Sequence, residues 1–214
     1  MAVPNSDHQV ALNRQLHQAD PQFGVNDTGL TSRIPLAISR LSQHAPISTV
    51  LDYGTGKGFL VDHLRSELPS SITVDGYDPS VDKWSTKPDS KYDILTCIDV
   101  LEHIDIDKID NVLKDINNLT RLFCYVSIDL QPAVKTLEDG RNAHVMLAPS
   151  EWWITRFSQL FPCMVSFPIK HLNSTNQKIM IACTHDPSIL PLIYYFLNKV
   201  NIYSTIMKGG LLGG

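Results

Sequence analysis

The stretch Asp52-Tyr53-Gly54-Thr55-Gly56-Lys57-Gly58 constrains this chain more than any other part of its 214 residues. It lies between an apolar run, STVLDYG at 48–54, and a segment at 57–68 whose Phe59, Leu60, Leu64 and Leu68 share one helical face. A strand that stops at glycines and re-enters a helix exposes bare backbone, which a ligand can approach more closely than any side chain would allow. The first turn of the helix adds unpaired N–H groups and a positive dipole end, suited to a carboxylate or phosphate. A P-loop is excluded, because Gly58 stands where Ser or Thr must follow Gly56-Lys57. A dinucleotide fingerprint is weakened, because Phe59 occupies its last glycine position. Asp78 ends the next apolar run, SITVDGYD at 71–78, and stands 24 residues past Gly54. An acid there can accept both hydrogen bonds of a ribose diol. Alone, the glycines suit a structural turn, and Asp78 before Pro79 suits a turn former. Together, at this spacing, they point to a nucleotide-like ligand.

The pattern continues in the same style. YDILTCID at 92–99 reads as a third strand, 99–120 as one long helix, and RLFCYVSIDL at 121–130 as a fourth strand. An irregular polar loop follows, then a helix near 149–160, then an antiparallel pair from MVSFPIKHL and QKIMIACT. Strands alternating with helices imply an α/β fold with a mostly parallel sheet, closed by the antiparallel pair. Such sheets bind ligands at the carboxyl ends of their strands.

Over 48–104 the chain resembles the class I S-adenosylmethionine-dependent methyltransferases. VLDYGTGKG is similar to their first motif and GYDPS to the acid-bearing end of their second strand. YDILTCIDVLEHI is similar to a segment of the branch that includes the ubiquinone-biosynthesis methyltransferases. The resemblance implies a Rossmann-like fold and S-adenosyl-L-methionine as cofactor, held by Asp52, Gly54, Thr55, Gly56, Gly58, Asp78, Pro79, Cys97, Ile98 and Asp99. Within that set the glycines would line its methionine end and Asp78 its ribose, with residues 97–99 near the adenosine and methyl region. Residues 1–46 would form a helical lid, 47–184 the catalytic domain, and 185–214 an apolar helix and flexible tail. One departure stands out. Only 13 residues, Pro79 and Pro88 among them, separate Asp78 from Tyr92, so the family's next edge strand is expected to be missing. Adenine recognition would then fall to Val81, Trp84 or the 97–99 segment.

Candidate acceptor-side residues are His103, Arg141 and His144. Arg141 suits an anionic substrate group, and His144 suits a general base near neutral pH. Glu102 reads as the partner of Asp99 in a D-x-x-E helix cap, and Trp152 and Trp153 read as core. The methyl acceptor is expected to be a small molecule taking methyl on oxygen or nitrogen. A segment reading Ile98-Asp99-Val100-Leu101, in place of an Asn-Pro-Pro-Tyr motif, argues against DNA amino-group methylation. The rivals are a nicotinamide-dependent oxidoreductase and a non-catalytic module that keeps the fold.

Composition sets the remaining expectations. Eighteen basic against 22 acidic residues leave no excess for phosphate neutralisation, so no nucleic-acid partner is expected. The four cysteines have no metal-ligand spacing, so no metal is expected and they read as buried hydrophobes of a reducing, cytoplasmic setting. The first twenty residues lack the apolar run of a signal peptide. Pro191, Asn198, Lys199 and Asn201 interrupt the apolar stretch 189–207, which is read as a packed or homodimer-forming helix rather than a membrane span.

Overall fold

A computed structural model describes residues 7–25, 31–170 and 177–200. Two N-terminal helices, α1 (Asp7–Ala19) and α2 (Ile34–Leu41), precede β1 (Thr49–Tyr53), α3 (Phe59–Glu67) and β2 (Thr73–Tyr77). Then come β3 (Tyr92–Ile98), α4 (Ile109–Leu119), β4 (Thr120–Asp129), α5 (Ser150–Ser158), β5 (Cys163–Lys170), β6 (Gln177–Thr184) and α6 (Leu190–Lys199). The six strands form one sheet in the order β2-β1-β3-β4-β6-β5. Strands β1 to β4 run parallel, while β6 is antiparallel to both β4 and β5.

The strands are apolar on both faces, as strands covered by helices on either side must be. Val50, Ile94, Phe123 and Tyr125 face one core, which includes Ile38, Leu64 and Phe196 from α2, α3 and α6. Their neighbours Leu51, Leu95, Cys124 and Val126 face the other, with Val112 and Ile116 of α4 and Trp153 and Phe157 of α5. This period-two division commits each strand to one register, because a one-residue slip would exchange its two faces.

The expected missing strand is missing. Residues 79–91 carry only a short turn at Asp82–Trp84, and β2 is left at the sheet edge. Trp84 is buried there, with Lys83 4.3 Å and Arg65 5.6 Å from its ring. The single long helix expected over 99–120 is corrected. Asp99 takes φ 55°, a 3-10 turn covers Leu101–His103, and α4 begins only at Ile109. The reason is a gap in the apolar period between Ile104 and Ile109, where Ile106 is 66% exposed.

The apolar C-terminal helix takes the packed one of the two roles expected for it. Ile193, Phe196, Leu197 and Val200 are fully buried within the chain's own core, so that face of α6 is already used. The remainder of that segment, and the tail expected to be flexible, lie outside the described residues. Among the described residues no helix is long and apolar enough to cross a membrane.

Candidate active site

The glycine loop is built by contacts that only glycine permits. Gly54 and Gly56 have φ of 79° and 54°, in the left-handed region that L side chains avoid. A Cβ on Gly54 would lie 2.4 Å from the Val100 side chain, and one on Gly56 would lie 2.7 Å from the carbonyl oxygen of Gly24. Gly54 N and Thr55 N both donate to Tyr77 O, at 2.7 and 3.2 Å, tying the loop to the end of β2. Gly56 N donates to Asp78 Oδ2 at 2.9 Å, and Ser80 N donates to Asp78 Oδ1 at 2.8 Å. Each carboxylate oxygen keeps a further lone pair for a ligand. Asp78 is therefore aimed by the loop it helps to shape.

A cavity of about 190 Å³ opens beside these groups. Gly54, Gly56, Asp78 and Pro79 bound one side of it, and Asp99, Val100 and His103 another. A third side is the N-terminal segment, with Asn13, His17 and Phe23. This segment lies directly on the glycine loop. Gly24 O accepts from Lys57 N at 3.2 Å, Lys57 Nζ donates to Asp20 O at 2.6 Å, and Lys135 pairs with the Asp20 carboxylate. As a result every N–H from Gly54 to Gly58 has a partner within the chain: Tyr77 O for the first two, then Asp78, Gly24 O and Thr55 O. The loop's own donors are thus satisfied, whereas α3 starts only at Phe59, with no side-chain cap at Gly58.

Rings connect the N-terminal segment to the far side of the cavity. His17 meets Phe23 at 4.7 Å, Phe23 meets His103 edge-on at 5.5 Å, and His103 meets His144 at 4.9 Å. His103 Nδ1 lies 2.8 Å from Ala143 O and His144 Nδ1 lies 2.5 Å from Gln131 O. A carbonyl only accepts, so each Nδ1 carries the proton and each Nε2 keeps its lone pair. Burial, aided by neighbouring His144, pushes His103 down to about 4, so its ring is neutral at ordinary pH.

Several expected site residues stand elsewhere. Cys97 and Ile98 are buried in the two opposite cores, since adjacent strand residues point to opposite faces, and neither lines the cavity. Asp52 and Thr55 are buried behind the loop. Asp52 accepts from Thr96 Oγ1 at 2.8 Å, and its burial lifts the carboxyl to about 6. Gly58 faces the Trp84 ring. Trp84 and Val81, expected near an adenine, do not border the cavity either.

Arg141, expected to hold an anionic group, does not border the cavity. Its guanidinium donates to Asp139 at 2.7 Å, Asp105 at 3.3 Å and Gln9 at 2.9 Å, latching the loop to α1 and to the turn before α4. Glu102 is corrected as a helix cap. With no helix starting at Asp99, its Oε1 instead accepts from Asp129 N at 3.0 Å, and the residue is fully buried. Burial and the nearby Asp99 charge hold its carboxyl well above the usual range. Trp153 packs in the core as expected, and Trp152 stacks under Arg156 at 4.6 Å. Asn13, His17 and Phe23 fall in the segment expected as a lid, but none was singled out as a site residue. Nothing in their local pattern distinguishes a helix that covers a distant loop from one that is merely solvated.

Fold and cavity together define an α/β protein with a nucleotide-type ligand site at the carboxyl edge of a Rossmann-like sheet. A family model described as a methyltransferase domain matches residues 28–167, and the chain belongs to that methyltransferase family. The fold is similar to the Burkholderia thailandensis 1,6-didemethyltoxoflavin-N1-methyltransferase with bound 1,6-didemethyltoxoflavin and S-adenosylhomocysteine. There the TM-score is 0.55 at 16% identity, over 87% of this chain and 92% of that one. It is similar also to DhpI in complex with S-adenosylhomocysteine, with TM-score 0.54 and 16% identity over 85% of this chain and all, 100%, of that one. The mitomycin 7-O-methyltransferase MmcR matches with TM-score 0.52 and 15% identity, over 79% of this chain and 60% of that one. In sequence, a curated glucan endo-1,3-beta-D-glucosidase of Thermobifida fusca is 33% identical over 95 residues. That match covers 39% of this chain but only 12% of the glucosidase, so the chain spans about an eighth of that protein.

Proposed function

We propose that the protein transfers a methyl group from S-adenosyl-L-methionine to a small-molecule acceptor. The observation that carries this reading is Asp78, held by Gly56 N at 2.9 Å with its carboxylate on the cavity wall. The residues fit the cofactor, since a buried acid with spare lone pairs suits a ribose diol and the loop residues that line the cavity, Gly54 and Gly56, carry no Cβ. When bound, S-adenosylmethionine supplies an activated methyl group.

The chain's own residues have three tasks. Asp78 accepts the diol's hydrogen bonds. The N-terminal segment acts as a lid that must yield on binding, because about 190 Å³ falls short of the roughly 300 Å³ at which ligand pockets begin. Its displacement takes Gly24 O away from Lys57 N, freeing a loop donor just before α3 for an anionic group of the ligand. On the acceptor side, His103 and His144 present Nε2 lone pairs that need no tautomer change to serve a hydroxyl. Orientation along the axis of displacement supplies much of the acceleration in such a transfer.

Titration calorimetry with S-adenosylmethionine, S-adenosylhomocysteine and NAD tests the reading. Micromolar binding of the two adenosyl ligands, lost in Asp78→Asn, is the expected result. Binding of NAD alone would replace the reading with an oxidoreductase, and binding of none would favour a non-catalytic module.

A further inference from the structure

We infer that Glu102, His103 and His144 form a divalent-cation site beside the cavity, whose open positions take an oxygen of the methyl acceptor. Each of the three side chains brings one ligand atom within 4.8 Å of those of the other two. A cation bound at about 2.0–2.2 Å needs its ligands closer than that, so the side chains must draw in by about 1 Å.

The surroundings are those of a ligand set more than of a packed pair. Both imidazoles donate Nδ1–H to a main-chain carbonyl, Ala143 O for His103 and Gln131 O for His144. That second hydrogen bond is how proteins fix the tautomer and aim of a metal-binding ring. Glu102 is 0% exposed, and its Oε2 has no hydrogen-bond partner among the described residues. A buried acceptor left so costs free energy that a cation would recover. Lys178, whose charge reaches Glu102, is already shared between Asp99 at 2.5 Å and Asp129 at 3.8 Å. It balances two other carboxylates and leaves Glu102 without a counter-charge of its own.

Two imidazole nitrogens and one carboxylate oxygen suit zinc, manganese, cobalt or ferrous iron, and three protein ligands leave positions open for exogenous oxygen. His103 lines the cavity, so those positions address the acceptor side. On binding, an acceptor hydroxyl replaces a water on the cation and loses its proton to solvent, with no change of oxidation state. In this arrangement the histidines hold the cation and its charge acidifies the hydroxyl. The role given to the acceptor rests on the methyltransferase reading, whereas the cation site does not.

The test is a titration of the chelator-stripped full chain with Co²⁺, followed by visible absorption, with Zn²⁺ and Mn²⁺ as competitors. The expected result is one equivalent bound with tetrahedral or five-coordinate bands. Glu102→Gln and His144→Asn should each bind at least about a hundredfold more weakly. Circular dichroism and S-adenosylhomocysteine affinity, unchanged in Glu102→Gln, would show that the fold survives. Absence of saturable binding by all three ions, or equal binding in both variants, overturns the site. S-adenosylhomocysteine binding without metal binding would overturn this inference alone. Metal binding without adenosyl-ligand binding would leave the site standing and remove the methyl-transfer reading. Full turnover of a hydroxyl acceptor by the stripped protein would sink the acceptor role.

Discussion

The two walls of the cavity are built on different terms. On the glycine-loop wall, the parts that matter fall within 27 consecutive residues, from Asp52 to Asp78, and backbone sterics decide their geometry. On the opposite side, His103 lines the cavity with His144 and Glu102 adjoining it; His103 is aimed by Ala143, His144 by Gln131 and Glu102 by Asp129, across separations of 13 to 40 residues. The first wall tolerates almost no change in shape. The second depends on pairings that any rearrangement of one loop would undo.

Substitutions can break this comparison, and Asp78→Asn should have the largest effect. It removes the charge from two ligand hydrogen bonds, so affinity for S-adenosylhomocysteine should fall by about two orders of magnitude, read by calorimetry. Gly56→Ala comes next. The left-handed backbone and the 2.7 Å approach to Gly24 O together should cost on the order of 2 kcal/mol in denaturant unfolding. An unchanged midpoint would mean that the N-terminal segment moves aside freely.

Asp52→Asn sharpens the same comparison through pH. In the fold the Asp52 carboxyl is lifted from 3.8 to about 6, so the folded chain binds this proton more tightly than the unfolded one. The stability this gives is complete below about pH 4 and is lost as pH rises through about 6. Asn at this position should flatten the stability profile across that window by on the order of 2 kcal/mol, measured as urea midpoints. An equally steep profile would place the proton elsewhere. The smallest effect is expected for Arg141→Ala. Its partly exposed ion pairs should shift Tm by no more than about 2 °C and leave cofactor affinity intact. A large loss of turnover with an unmoved Tm would return Arg141 to the acceptor side.

What was legible in the sequence follows the same division. The glycine loop, Asp78, the strands β1 to β4 and the missing edge strand are local facts, carried by spacing, by glycine and by two prolines. Non-local facts were not. The helix expected to begin at Asp99 starts at Ile109 because a gap in the apolar period outweighs a cap-like Asp99–Glu102 pair. Cys97 and Ile98 lie in the right segment, but strand alternation turns one into each core. Helix α1 falls in the segment that the resemblance made a lid, but its polar pattern singled out none of the contacts, since Lys57 and Lys135 lie 37 and 115 residues from Asp20.

The contact between Gly24 O and Lys57 N makes the chain a competitor for its own ligand. Apparent affinity is then the intrinsic affinity scaled by the fraction of molecules with that contact broken. Part of what holds it is the pair Lys135–Asp20, with side chains 42% and 23% exposed and therefore open to screening. Added salt should thus speed entry of the cofactor, whereas association guided by surface charge slows as salt rises.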